Sequence, residues 1–147
     1  MLPSFVRRSE RRPVAPSRVR ILAYCLMSNH IHLVAVPAEA ESLALCLQRV
    51  HGRYAQYLNA RRQRCGHLWQ NRFFSCPVDE RHLWTALRYV ELNPARAGMV
   101  GQTREYPWSS TAAHLGGRDA SRALDLESIA RSNPTAFEAV CFEPPDF

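Results

Sequence analysis

Two histidines separated by one residue, His30 and His32, carry the sharpest chemical signal in the chain. They lie in the run HIHLVAV, whose apolar and β-branched content reads as a strand over residues 30–36, closed by Pro37. Side chains at i and i+2 of a strand share a face. The two imidazoles then stand side by side while Ile31 turns to the core. Such a pair begins a divalent metal site, which needs a third ligand. Two surface histidines on a half-buried strand give the same pattern, so the spacing alone leaves both readings open.

A second signal lies on a helix expected over residues 80–93, where Leu83, Leu87 and Val90 mark a buried stripe. At about 100° per residue, Tyr89 falls roughly 130° from the centre of that stripe and Asn93 roughly 90°. At i and i+4 they share one flank, and core packing does not account for Tyr89. A phenol beside a metal can attack a phosphodiester, and Asn93 can complete a His-His-Asn ligand set. Partly exposed helix tyrosines are also common without any such role.

The elements that must position these groups follow from periodicity. Residues 19–27, VRILAYCLM, read as a buried strand that pairs with HIHLVAV across the Ser28-Asn29 turn. Residues 39–62 read as a helix, with Leu43, Leu47, Val50, Tyr54, Tyr57 and Leu58 at spacings of three and four, broken by Gly66. Residues 67–78, HLWQNRFFSCPV, read as a strand rich in aromatics, with Cys76, like Cys25, packed in the sheet. Asp79 caps the helix at 80–93, which Asn93-Pro94 ends. After YPWSS at 106–110, with Trp108 as a core anchor and Ser109 and Ser110 as helix caps, come a short helix near 109–115 and a Gly116-Gly117 break. A weak helix around 124–131 and a Pro-rich tail close the chain. The order β-β-α-β-α predicts an α+β fold with helices against an antiparallel sheet.

Composition narrows the function. The 147 residues suit one domain, and 46% apolar with 22% charged residues excludes a wholly disordered chain. No run approaches the roughly 18 apolar residues of a membrane helix. The first twenty residues carry six Arg and no apolar signal-peptide core. A cytoplasmic protein with no membrane partner is expected. Five Cys without a C-x-x-C pair argue against a disulfide framework or a zinc ribbon. All nineteen cations are Arg, and the net charge is +6. Residues 1–72 hold twelve Arg against Glu10, Glu39 and Glu41, a net of +9; residues 73–147 hold seven Arg against ten acids, a net of −3. A basic half suggests a polyanion, most often nucleic acid, although a solvated basic surface is equally compatible.

The segments YCLMSNHIHLVAVP, GRYAQYLN, GHLWQNRFFSCPVDE, LRYVELNPARAGMV and YPWSS, in this order, resemble the single-tyrosine HUH transposases of the insertion-sequence-200-like superfamily, especially their REP-associated tyrosine transposase branch. The resemblance covers about residues 19–117. It implies a ferredoxin-like or RRM-like antiparallel sheet with helices packed on one face, usually in a homodimer. It also implies Mg²⁺ or Mn²⁺ held by His30, His32 and Asn93, with Tyr89 as the nucleophile that forms a 5′-phosphotyrosine on single-stranded or hairpin DNA. On that reading Arg53, Arg61, Arg62, Arg64 and Arg72 hold the DNA backbone. Trp69, Phe73 and Phe74 stack on unpaired bases, unless they pack the sheet instead.

In the resembled family a strand and a helix precede the YCLM hairpin, and no segment here matches them. The resemblance therefore implies an N-terminally truncated sheet, with a basic arm at 1–17, a catalytic domain at 18–117 and an extension at 118–147. Three readings follow: the arm pairs with the exposed edge, a second chain covers it, or the chain is a decayed or mis-started, inactive product. Ser28, Asn71 and Ala95 stand where Pro, Gly and Val are common in the family. Beside the transposase reading stand a non-catalytic nucleic-acid-binding protein on the same scaffold and a small metal-binding protein.

Overall fold

The computed structural model describes residues 19–69, 72–131 and 137–142; Ser128, Ala130, Arg131 and residues 137–142 are described by backbone alone. The elements are β1 (Val19–Leu26), β2 (Ile31–Pro37), α1 (Ser42–Arg62), β3 (Phe74–Val78), α2 (Glu80–Arg96), a 3₁₀ turn (Thr103–Glu105), α3 (Thr111–His114), α4 (Leu126–Arg131) and β4 (Phe137–Phe142). The expected arm at 1–17 lies outside the described residues.

The fold is α+β, built on a four-stranded antiparallel sheet in the order β1-β2-β4-β3. The β1–β2 hairpin forms as its sequence predicts, with Leu26 opposite Ile31 and Cys25 opposite His32. The Met27 N–H donates to the His30 carbonyl at 2.8 Å to close the turn. Alternation along β2 sorts its side chains. His32, Val34 and Val36 face one side and Ile31, Leu33 and Ala35 the other.

Each face has its own helix. Val34 and Val36 join Leu22, Cys25, Leu83, Leu87, Val90 and Tyr106 in the larger core, so α2 covers the face that carries His32. Ala35 joins Leu43 and Leu47 in a second core with Val19, Ile31, Leu33, Trp69 and Phe73 at its margin, so α1 covers the reverse face. The sheet class is the expected one, but the helices are not packed on one face. The cause is the period of two, because β2 is apolar on both sides and each side needs cover. Burial also pushes the Cys25 thiol up to about 12, with Glu91 adding to the effect, as befits a packing residue.

Local chemistry shifts several boundaries. Strand β3 begins at Phe74, not at residue 67. Leu68 is buried, and the Trp69 indole N–H donates to the His51 carbonyl at 3.3 Å, so these two residues pack on α1 rather than pair in the sheet. Cys76 is exposed rather than packed. On α1 the sheet contact rests on Leu43 and Leu47, and Val50 is exposed despite its place in the stripe. Helix α2 starts as expected, with the Asp79 carboxylate accepting from the His82 N–H at 2.9 Å.

The same helix runs past Asn93-Pro94 to Arg96. Pro94 is fully buried, and the last turn closes through Ala97 N–H to the Asn93 carbonyl and Met99 N–H to the Pro94 carbonyl, both at 2.9 Å. Gly98 supplies the left-handed residue, φ +67°, that this ending requires. The largest departure is at the C-terminus. Residues 137–142 are not tail but strand β4, paired with β2 on one side and β3 on the other. Among the described residues β4 is the only strand that β3 pairs with.

Candidate metal and tyrosine site

His30 ends the hairpin turn half-buried, and its Nδ1 lies 2.7 Å from the Asn29 Oδ1. A carboxamide oxygen only accepts, so Nδ1 is the donor in this contact and Nε2 is not used by it. His32, two residues on, is 6% exposed, and its ring meets that of His30 edge to face with centroids 4.6 Å apart. The His32 Nε2 is buried with no hydrogen-bond partner among the described residues. Burial, aided by the neighbouring His30, lowers the His32 pKa to about 4. At neutral pH it is a neutral imidazole with an uncommitted ring nitrogen, which is what a metal ligand must offer. The pair therefore fits a divalent cation.

Tyr89 comes from the other wall. Its ring stands edge to face with His32 at 5.7 Å between centroids, and the residue is 50% exposed. Leu87 and Val90 anchor α2 in the core, and the helical turn between them sets Tyr89 at the rim. Asn93 is one turn further on the same flank. Its Nδ2 donates to the Tyr89 carbonyl at 2.8 Å, which commits the nitrogen and leaves Oδ1 as an acceptor. Among the described residues no three His, Cys, Asp or Glu side chains cluster as a metal site. A cation here would rest on two imidazoles and neutral oxygens. The structure thus brings His30, His32 and Tyr89 together, and sets the Asn93 amide against the Tyr89 backbone.

One neighbour was not singled out from the sequence. The Arg96 guanidinium carbon lies 5.5 Å from the Tyr89 ring centroid. The signal was present, since seven residues are two helical turns and return to the same flank. A groove of about 350 Å³ opens next to the tyrosine, walled chiefly by apolar side chains including Phe74, Val78, Ala86 and Val90. Phe74, at 71% exposed, offers a free ring face there.

The other predicted DNA contacts lie elsewhere. Arg53, Arg61 and Arg62 are exposed on α1, and Arg64 just beyond it, on the helix that covers the reverse face. Arg62 and Arg64 line a small cleft of about 120 Å³ with Asn59 and His67. Arg72 is exposed two residues before β3. Trp69 stacks on His51 at 4.1 Å and, like Phe73, packs beside Leu43 and Leu47, so these two rings are engaged by the protein.

A buried polar cluster braces the back of α2. Glu91 accepts from Ser110 at 3.1 Å and pairs closely with the His114 Nδ1. Ser110 sits at the start of α3 but makes no side-chain cap there; its hydroxyl bridges Glu91 and the Tyr24 backbone instead. The hydrogen bond to Glu91 raises the His114 pKa against the opposing effect of burial. The YPWSS segment thereby ties α2 to β1, and Trp108 packs on the same core, as its anchor role predicts.

Comparison with known proteins identifies a family. The family model described as "Transposase IS200 like" matches residues 11–93. A candidate REP-associated tyrosine transposase of Haemophilus influenzae is 26% identical over 100 residues, or 60% of this chain. The match spans 57% of that relative's length, short of two thirds of it. No solved structure matches the chain.

Proposed function

The chain belongs to the IS200-like transposase family, and we propose that it cuts and rejoins single-stranded or hairpin DNA through a covalent tyrosine–DNA intermediate. The observation that carries this reading is the meeting of the Tyr89 ring with His32, whose buried Nε2 has no partner among the described residues. A phenol at the edge of a paired-imidazole site is arranged for attack on a phosphate.

His30 and His32, with the Asn93 amide oxygen, would hold Mg²⁺ or Mn²⁺. Bound there, the ion supplies Lewis-acid polarisation of the phosphate. Tyr89 Oη forms a bond to phosphorus as the P–O3′ bond breaks. The phenolic proton ends on the departing 3′-oxygen, leaving a 5′-phosphotyrosine and a free 3′-hydroxyl. The reverse attack of a 3′-hydroxyl rejoins a strand without outside energy. Phe74, free at the groove beside Tyr89, suits an unpaired base flanking the cut.

The test is a denaturing gel with a pool of 3′-labelled single-stranded hairpin oligonucleotides, randomised around the stem base, and Mn²⁺. Wild type should shift the label into a protein-sized band and Tyr89→Phe should not. A wild type that yields no such band sinks the proposal. The exposed arginines of α1, on the reverse face, favour one second reading: a protein that holds DNA through its backbone without cutting it. That reading gives salt-sensitive retention of the same oligonucleotides and no covalent band.

A further inference from the structure

Arg96 is the group that the transposase reading leaves unused, and its surroundings are specific. Its guanidinium lies 5.5 Å over the Tyr89 ring, while His32 meets the same ring edge-on at 5.7 Å. The Tyr89 ring therefore meets both the guanidinium and the His32 imidazole. Arg96 is exposed, and its guanidinium makes no ion pair or hydrogen bond with the described residues. It also occupies the last turn of α2, the negative end of the helix dipole.

Resting on the reading of Tyr89 as nucleophile, we propose that Arg96 is a catalytic residue of this site, whose planar fork binds the non-bridging oxygens of the phosphodiester that Tyr89 attacks. The tyrosine oxygen must approach phosphorus to about 3–3.5 Å for attack. A guanidinium already over the ring is then within reach of the phosphate oxygens by side-chain rotation alone. As Oη bonds to phosphorus and the P–O3′ bond breaks, negative charge concentrates on those oxygens. A donor pair already in place gains most at that moment. Arginine suits the task better than lysine because two parallel N–H groups match two phosphate oxygens. The arginines of α1 cannot substitute, since they stand on the helix covering the opposite face of the sheet.

The test compares wild type, Arg96→Gln, Arg96→Lys and Tyr89→Phe with the 3′-labelled hairpin pool and Mn²⁺ under single-turnover conditions. Arg96→Gln should slow formation of the covalent band by about 10²–10³-fold, the usual effect of removing one donor to a developing oxyanion. Arg96→Lys should restore only part of the rate. Binding is read separately by placing each change in the Tyr89→Phe background, where no bond can form. There Arg96→Gln should weaken affinity far less than it slows reaction and should lower the salt slope by about one phosphate contact. A purely structural Arg96 would shift thermal melting and leave the ratio of reaction to binding unchanged. Equal rates for wild type and Arg96→Gln, or full rescue by lysine, overturn this assignment alone. Absence of the band in wild type overturns the transposase reading and this assignment with it.

Discussion

Tyr89 and His32 stand edge to face across the seam between α2 and β2, 57 residues apart in sequence and 5.7 Å apart between ring centroids. The contact joins the exposed flank of a helix to the buried face of a strand. Because Leu83, Leu87 and Val90 clamp that helix onto Val34 and Val36, the tyrosine keeps its place through the core beneath it. Its own ring remains half-open to solvent.

That openness makes Tyr89→Phe a clean variant. The phenolic hydroxyl has no partner among the described residues, so its removal should change stability by less than about 0.5 kcal/mol. Thermal melting should match wild type while the covalent band disappears. A Phe variant that still yields the band would assign the nucleophile elsewhere.

His32 should titrate near pH 4, as its lowered pKa implies. In the unfolded chain the same imidazole titrates near the ordinary value of about 6.5. Between these values the unfolded state binds the extra proton. The contribution of His32 to stability is therefore complete above about pH 6.5 and falls away as pH drops toward 4. Metal binding competes with the same proton. An NMR titration of the imidazole carbons checks both, with Mg²⁺ expected to hold His32 unprotonated to still lower pH. A His32 signal titrating near 6.5 in the folded protein would contradict its burial.

The His114–Glu91 pair works with the opposite sign. Its hydrogen bond raises the His114 pKa, so the stability it adds is present below about pH 6.5 and is lost as pH rises through the raised folded value. Both side chains are mostly buried, 17% and 19% exposed. Breaking the pair with His114→Ala should cost about 1–3 kcal/mol at pH 6, and less at pH 9. Chemical denaturation at the two pH values measures this. A loss independent of pH would mean that packing, not charge, holds α3 to α2.

The position of β4 makes a sharp prediction about Ala139. Its backbone lies opposite Val34 on one side and Cys76 on the other. Proline in such a central strand removes a ladder hydrogen bond and is hardly ever accommodated. Ala139→Pro should cost about 3 kcal/mol or more and free β3 from the sheet. Hydrogen exchange of the β3 amides would report the release. Unchanged protection in β3 would remove β4 from the sheet.

Trp69 and Phe74 should separate packing from recognition. Trp69 stacks on His51 and borders the Leu43–Leu47 core, so Trp69→Ala should cost about 3 kcal/mol in stability. Phe74→Ala removes an exposed ring and should leave melting almost unchanged while weakening DNA retention severalfold. The reverse pattern would exchange their roles.

The hairpin, the His-x-His spacing, the cap at Asp79 and the flank shared by Tyr89 and Asn93 were legible in the residues. Each is set by interactions within one or two turns or across one tight turn, where period and sterics suffice. The same reasoning reached Tyr89 by noting that the buried stripe of its helix does not use it. What sequence alone did not decide was which face each helix would cover and what would fill the sheet between β2 and β3. Both depend on contacts between segments far apart in the chain, for which local pattern carries no term. A strand apolar on both sides accepts a helix on either one, so the arginines of α1 could not be placed relative to the histidines until the layers were known. Residues 137–142 show the limit plainly. A short apolar run near prolines reads as tail, and only the unpaired backbone edges of β2 and β3, brought to strand spacing by the rest of the fold, turn it into the strand that joins them.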